Sequence, residues 1–272
     1  MLVLARVIFQ LAVLYGLVLV VMYLLQRSLQ YVPDRRPAGS PADHGLRQMQ
    51  AVAVTTADGL TLQAWYQPPR EAGGKVVVYF HGNAGHHAHR ASKIVYFLEA
   101  GYGVYLCGYR GYGGNPGRPN EQGLYADARA GIEWLQRAGI ALGDMIFYGE
   151  SIGGGVAVQM AYESAPPVVI LEAPFSTAVD VARQRYFWLP VDRLMRDKYA
   201  NIEKIKSIKT DLLIVHGDED EVTPIALAQS LFEAANHPKE FITINSGGHS
   251  DLYEHHAGHV ILDWLAKRQN AQ

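Results

Sequence analysis

Cysteine is almost absent from this chain of 272 residues, in which Cys107 is the single thiol. Without a second cysteine the chain forms no internal disulfide, and it offers no metal site built from several thiolates. Cys107 closes the apolar run 104–107. A cysteine in such a run is typical of a buried strand position rather than of a reactive thiol.

The chain also lacks a charge bias. Its formal net charge is -2, with 18% charged and 49% hydrophobic residues, which is ordinary for one medium-sized globular domain. Because no stretch concentrates Lys and Arg, nothing favours a surface that tracks phosphates, and we expect no nucleic-acid partner. The composition does not indicate an oligomeric state.

Charge is missing altogether from one segment near the N-terminus, Val7 to Leu25. As a helix, its 19 residues would cover about 28 Å, close to the thickness of a bilayer core. The alternative is a cleaved signal peptide, but residues 26–30 (QRSLQ) offer no small-x-small cleavage site. The segment predicts an uncleaved transmembrane anchor over residues 1–28 and a single-pass membrane protein.

Basic residues flank this segment unequally. Arg27, Arg35, Arg36 and Arg47 follow it, whereas only Arg6 and the amino terminus precede it. This bias favours a cytoplasmic location for the C-terminal body. Residues 29–49 include the Pro- and Gly-rich stretch VPDRRPAGSPADHG, which predicts an extended linker between membrane and body.

Apolar runs at strand length recur along the rest of the chain. Alternating residues 51–55 and 60–66 around Asp58-Gly59 predict a hairpin. Six continuous runs separated by helix-length segments then predict an α/β fold, with a mostly parallel sheet covered by helices on both faces. These runs are Lys75–Phe80, Gly103–Cys107, Met145–Tyr148, Val168–Leu171, Leu212–Val215 and Phe241–Ile244.

Polar and glycine-rich stretches follow each of the six predicted strands. In a parallel sheet, the carboxyl ends of the strands are where ligands bind. We therefore expect the functional residues in these stretches, which are HGNAG (81–85), GYRGYGGNPG (108–117), GESIGG (149–154), EAPF (172–175), HGDEDEVTP (216–224) and NSGGHSD (245–251).

The third stretch contains the pattern G-x-S-x-G over residues 149–153. Between a strand and a helix, this pattern indicates a nucleophilic serine, Ser151, on a strained turn. Glycines at 149 and 153 let strand and helix approach closely, and the helix N-terminus directs free N–H groups towards the serine. Glu150 receives no catalytic role.

A serine hydroxyl needs a general base, and the base needs a carboxylate that orients it. His249 directly follows the last strand, so it is the predicted base among eleven histidines. The order Ser–acid–His places the acid between these two residues. Asp218 and Asp220 both follow the preceding strand, and spacing alone does not decide between them.

An acyl-transfer site also needs donors for the oxyanion of its tetrahedral intermediate. The backbone N–H of Ile152, the residue directly after the nucleophile, is one predicted donor. The backbone N–H of Asn83, in the small-residue loop after the first parallel strand, is the other predicted donor.

Taken together, these motifs resemble the α/β-hydrolase superfamily, and more closely its membrane-anchored branch of bud-emergence-forty-six-like proteins and α/β-hydrolase-domain depalmitoylases. The resemblance runs from about Leu29 to the C-terminus. It rests on HGNAG with His89-Arg90, YRGYGGNPGRPNEQGLYAD (109–127), YGESIGGGVA (148–157), EAPFST (172–177), and HGDEDEVTP before GGHSD.

The resemblance implies several roles. The family pattern H-G-x-x-D-x-V-x-P places its acid on Asp220. An aspartate usually stands before YRGYG in the family, whereas this chain has Gly108. The family uses no metal or other cofactor, so the histidines of HHAH (86–89), which have no carboxylate or cysteine nearby in sequence, are predicted to be ordinary helix-start residues.

The predicted protein is thus a membrane-anchored serine hydrolase with an α/β-hydrolase fold. Its catalytic domain spans 50–272, with a short cap at about 176–206, and it cleaves an ester or thioester of an acyl lipid or acyl-protein. The aromatic stretch 186–190 in the cap is predicted to admit acyl chains. The alternatives are a catalytically idle membrane-tethered interaction module, and a dehalogenase or epoxide hydrolase, which would need an aspartate in place of Ser151.

Overall fold

A computed structural model describes residues 1–269 of the chain. The last three residues of the predicted catalytic domain lie outside the described residues. The strands are β1 (Gln50–Thr55), β2 (Thr61–Gln67), β3 (Val76–Phe80), β4 (Gly103–Leu106), β5 (Met145–Glu150), β6 (Val168–Glu172), β7 (Asp211–Gly217) and β8 (Lys239–Ile244). The helices are α1 (Leu2–Gln30), α2 (Ala91–Glu99), α3 (Glu121–Arg137), α4 (Ile152–Ser164), α5 (Ala178–Arg185), α6 (Val191–Leu194), α7 (Asn201–Lys204), α8 (Ile225–Ala234) and α9 (Ala257–Gln269), with 3-10 turns at Pro41–His44, His87–Arg90, Leu142–Asp144 and Ile205–Ser207.

The strands form one sheet in the order β1-β2-β4-β3-β5-β6-β7-β8. The strands from β4 to β8 in this order are parallel, while β1 and β2 join one edge as the predicted antiparallel hairpin. The predicted α/β-hydrolase fold is confirmed, with strand ends within a few residues of those predicted. Because the parallel strands point the same way, the loops that follow them meet along one edge of the sheet.

Buried side chains form a core on each face of the sheet. In β3, Val76, Val78 and Phe80 pack into one core, and Val77 and Tyr79 pack into the other. All five are fully buried. This alternation explains why the predicted central strands read as continuous apolar runs: both faces are covered by helices.

The N-terminal helix α1 has largely exposed apolar side chains. Among the described residues it is the helix long and apolar enough to cross a membrane. The predicted linker that follows packs on the body: Tyr31, Leu46 and Met49 are buried, and Pro33 pairs with Gly85 as a β-bridge. The end of α1 is therefore held directly against the loop that follows β3.

The predicted cap, residues 176–206, lies between β6 and β7 and contains α5, α6 and α7. Its residues Val179, Leu189 and Val191 form a small apolar cluster with Leu19 and Met22 of α1. The cap is thus packed between the body and the C-terminal half of the apolar helix.

Candidate active site

Ser151 stands between β5 and α4, at the N-cap of the helix, with φ 53° and ψ -116°. The strained turn predicted for it is confirmed. The glycines have the predicted steric reason: a Cβ on Gly153 would lie 2.0 Å from the carbonyl oxygen of Phe80, and one on Gly149 would lie 2.5 Å from that of Gly153. Only residues without a side chain let the helix approach the strand this closely.

The structure brings the three side chains predicted for acyl transfer together. The Nε2 atom of His249 lies 3.0 Å from Oγ of Ser151, and its Nδ1 atom lies 2.7 Å from Oδ2 of Asp220. The loops after β5, β7 and β8 supply these residues, so their meeting follows from the parallel sheet. The histidine is placed to accept the serine proton while the carboxylate fixes its ring orientation.

The buried Asp220, rather than the exposed Asp218, contacts His249. Its Oδ1 atom accepts hydrogen bonds from the backbone N–H groups of Val222 and Thr223, both at 2.8 Å. Burial acts to raise the pKa of the Asp220 carboxyl, but hydrogen bonds from His216 and His249 outweigh it and hold that pKa well below its usual range. Asp220 is therefore a carboxylate at neutral pH.

Two further side chains surround Asp220, and neither was predicted from the sequence to act at the site. The hydroxyl of Thr223 donates to Oδ2 of Asp220 at 2.9 Å and lies 3.1 Å from Nδ1 of His249. The buried His216 has its Nε2 atom 3.3 Å from the same Oδ2. In the sequence, Thr223 stands three residues after Asp220. This spacing is typical of side-chain turns that fix an aspartate, so it could have indicated the role of Thr223.

The predicted oxyanion donors lie on the same cavity wall as Ser151. Among residues 1–269, neither the backbone N–H of Asn83 nor that of Ile152 has a hydrogen-bond acceptor. The Asn83 side chain is bound at both its oxygen and its nitrogen: its Oδ1 accepts from Val32 N–H at 3.0 Å and from the Tyr112 hydroxyl at 2.9 Å, and its Nδ2 donates to the Gln30 carbonyl at 2.6 Å. These bonds fix the loop and leave its backbone N–H free.

A cavity of about 260 Å³ leads away from Ser151. Its walls are mostly apolar and come from three parts of the chain: the loops beside Ser151, the cap, and the C-terminal half of α1. Only part of the aromatic stretch of the cap, residues 186–190, faces the cavity. Tyr186 and Leu189 line the cavity, whereas Phe187 and Trp188 are 82% and 48% exposed and face outwards. Within the stretch that was predicted to admit acyl chains, Trp188 therefore does not line the cavity.

Glu150, beside the nucleophile, is buried in a network of ion pairs. Arg90 binds its Oε1 at 2.8 Å, and Tyr79 donates to its Oε2 at 2.8 Å. Lys93 lies 3.7 Å from this carboxylate and 2.6 Å from that of the buried Glu172. The network lies under the turn of Ser151, whose N–H donates to the Glu172 carbonyl at 2.8 Å. Glu150 thus anchors the floor of the site.

Two of the histidines in HHAH approach a carboxylate that is distant in sequence. Nε2 of His86 and Nε2 of His89 each lie 4.0 Å from Oδ2 of Asp34. However, the Arg36 guanidinium donates to both carboxylate oxygens of Asp34, and its positive charge compensates the carboxylate and disfavours a second cation there. His87 is fully buried edge-on against Trp65, so it is not the ordinary helix-start residue that was predicted.

Comparisons with known proteins agree with this fold. A family model described as serine aminopeptidase, S33, matches residues 72–201. An uncharacterized protein of Mycobacterium tuberculosis strain H37Rv is 40% identical over 244 residues, covering 89% of this chain and 86% of the relative. The lysophosphatidylserine lipase ABHD12 of Bos taurus is 31% identical over 201 residues, or 66% of this chain. The chain spans about half (50%) of the length of that lipase.

Two esterases show the same architecture. The esterase of Pyrococcus furiosus superposes with a TM-score of 0.69 at 18% identity, covering 87% of this chain and 97% of its own. The esterase of Exiguobacterium antarcticum superposes with a TM-score of 0.61 at 18% identity, covering 80% and 100%. At these identities the likeness is one of fold. The fold and the relatives together show that the chain belongs to the α/β-hydrolase superfamily and is a serine hydrolase.

Proposed function

We propose that the protein cleaves a carboxylic ester or thioester through an acyl-enzyme formed on Ser151. The observation that carries this proposal is the hydrogen-bonded series Ser151–His249–Asp220 at the end of an apolar cavity. Ser151 Oγ attacks the substrate carbonyl carbon while His249 Nε2 takes its proton. Asp220 holds the imidazole by Nδ1 and stabilises the imidazolium that forms.

The negative charge that develops on the carbonyl oxygen then requires donors. The free N–H groups of Asn83 and Ile152 supply two, and Ile152 begins helix α4, whose dipole also favours an anion at that end. His249 returns its proton to the leaving alcohol or thiol as the tetrahedral intermediate collapses. A water molecule, activated by His249, attacks the acyl-enzyme and releases the carboxylic acid.

An acyl lipid is the substrate class that best suits the cavity. Its mostly apolar walls match an aliphatic chain and offer few partners to a peptide. The name of the ABHD12 relatives, lysophosphatidylserine lipase, supports a lipid ester. The resemblance to the bud-emergence-forty-six-like branch leaves an acyl-protein thioester as the second candidate, since its acyl chain would occupy the same walls.

Labelling with a fluorophosphonate tests the nucleophile directly. The full-length protein in detergent should form one covalent adduct, and Ser151→Ala should abolish it and lower kcat for ester hydrolysis by about six orders of magnitude. Ser230→Ala, at an exposed helix position, is the matched control and should be labelled like the wild type. An unlabelled wild-type protein would support the idle interaction module, and undiminished labelling of Ser151→Ala would place the nucleophile elsewhere.

A further inference from the structure

One face of α1 is attached to the cap along much of its length. The Tyr15 hydroxyl donates to the Trp188 carbonyl at 2.9 Å, and Leu19 and Met22 pack into the apolar cluster of the cap. Further along, Gln26 Nε2 donates to the Leu194 carbonyl at 3.1 Å. Residues 15, 19, 22 and 26 follow helical spacing, so they form a single stripe. The cap therefore lies beside the helix and not beyond its end.

This contact places the cap at the depth of the apolar segment. Tyr15 precedes Leu25, the last residue of the uncharged stretch, by ten residues, or about 15 Å of helix, which is half of a bilayer core of about 30 Å. If Val7–Leu25 spans the core, the part of the cap that touches Tyr15 lies about one leaflet deep. A cap held in water would instead pull half of the apolar segment out of the lipid.

The outer surface of the cap carries exposed aromatic rings and an excess of positive charge. Phe187 and Trp188 expose their rings, which is costly in water and favourable in lipid. The cap carries seven Lys and Arg against four Asp and Glu, and its arginines include the exposed Arg183, Arg185, Arg193 and Arg196. Trp188, beside Tyr15, lies at the depth of the lipid tails, whereas Arg196, whose backbone N–H donates to Gln26, lies near the headgroup end of the apolar segment, where arginines are favoured.

The cavity extends from the cap to the nucleophile. Met22 and Leu29 of α1 line it, as do Leu189 and Val191 of the cap. Its reactive end lies near Gln30, whose carbonyl accepts from Asn83. Gln30 is five residues, or about 8 Å, beyond Leu25. A membrane ester has its carbonyl near the headgroups and its chain in the core, which is the direction in which this cavity runs.

We propose that the cap is embedded in one leaflet and that the acyl chain of a membrane-resident ester enters the cavity laterally from that leaflet, with α1 as one wall of its binding site. The inference rests on the proposed function for the reaction at Ser151, but the immersion of the cap does not depend on it. The helix is then part of the substrate site as well as an anchor.

Depth-dependent quenching tests the immersion. The full-length protein is reconstituted into phosphatidylcholine vesicles brominated midway along the acyl chains, and its tryptophan emission is compared with that of Trp188→Phe. The other tryptophans, Trp65, Trp134 and Trp264, belong to the body of the protein. Wild-type emission should lose at least twice the fraction that the Trp188→Phe variant loses. Equal fractional quenching of the two proteins would overturn the proposal.

Chain-length selectivity tests the helical wall. Met22→Trp should lower the ratio of long-chain to short-chain ester hydrolysis about tenfold, because it fills the cavity where the tail would lie. The matched control is Leu24→Trp, since Leu24 is 72% exposed and points away from the cavity on the same helix. If the ratio of long-chain to short-chain hydrolysis falls equally in both variants, Met22 does not form part of the acyl-chain site. If fluorophosphonate does not label Ser151 of the wild-type protein, the proposed function is wrong. The quenching result on the depth of the cap would still hold in that case.

Discussion

At the scale of single residues, the loop after β7 carries two aspartates, of which Asp220 contacts His249. Ser151 and His249 are placed by a glycine pattern and by the parallel sheet. Asp218 and Asp220 are two residues apart in one loop, with the same chemistry. They differ in their local hydrogen bonds. Asp220 accepts hydrogen bonds from the N–H groups of Val222 and Thr223, and this turn directs its side chain inwards. Such a local hydrogen-bond choice is not visible in residue spacing.

The two aspartates form a matched pair for mutation. Asp220→Asn should lower kcat for ester hydrolysis by about 10³–10⁴-fold, since the amide no longer stabilises the imidazolium and favours the wrong tautomer of His249. Asp218→Asn should change kcat by less than about twofold, because its side chain is exposed. Steady-state kinetics on one short-chain ester checks both. Similar losses in the two variants would show that the loop, and not the carboxylate of Asp220, matters.

At the scale of structural elements, the apolar pattern of the sequence predicted the strands and helices. It did not predict which elements distant in sequence contact each other. The contact between Tyr15 and Trp188 joins residues 173 positions apart, and no periodicity encodes such a pairing. Gly108 is a second example. The family resemblance suggested an aspartate there, but a Cβ at this position would lie 1.9 Å from the Gln63 carbonyl oxygen of β2. The close passage of β2 past the end of β4 explains the departure.

Gly108 should therefore tolerate no side chain. Gly108→Ala should lower the free energy of unfolding by about 3 kcal/mol, because backbone atoms of β2 must move to admit the methyl group. Gly143→Ala, where a Cβ would meet nothing within 4 Å, is the control and should shift it by about 0.5 kcal/mol or less. Urea denaturation of the full-length protein in detergent measures both. Equal unfolding midpoints would refute the close contact at Gly108.

At the scale of the whole molecule, the alternation of strands and helices was enough to predict the fold class, because buried parallel strands read as apolar runs. The charges buried under the sheet edge were not predictable. Glu150 sits between a serine and a glycine, and its partners Arg90 and Lys93 come from a different βα unit, 60 and 57 residues away in sequence. A sequence pattern shows that a carboxylate is present, but not that folding surrounds it with cations.

This buried carboxylate predicts acid sensitivity. Burial acts to raise the pKa of Glu150, but the charges of Lys93 and Arg90 and the hydrogen bonds from Arg90 and Tyr79 outweigh it and hold the pKa below its usual range. Glu150 then contributes stability that is fully present above the unfolded-state pKa of about 4.3 and is lost as the pH falls through the folded-state pKa. Asp220, whose pKa is lowered in the same direction, adds to this loss.

Urea denaturation between pH 7 and pH 3 checks this expectation. The free energy of unfolding should fall as the pH decreases below about 4.3, since the unfolded chain takes up protons that the folded chain excludes. Glu150→Gln should be less stable at pH 7, by about 3–5 kcal/mol, because Arg90 loses its buried partner, and its stability should depend less on pH. Glu219→Gln, on an exposed side chain, should keep the wild-type dependence. A wild-type stability that does not change over this range would contradict the buried ion pairs.

The attachment of α1 to the loop at Asn83 has a kinetic consequence. Because the helix end binds this loop at Val32 and Gln30, an α1 that spans the bilayer would hold the edge of the sheet that carries Ser151 at a fixed height over the membrane. An enzyme held in this way would meet the proposed membrane-resident ester by diffusion within a plane. Its turnover would then follow the number of ester molecules per area of bilayer, so that dilution with inert lipid slows it and dilution of the vesicles with buffer does not.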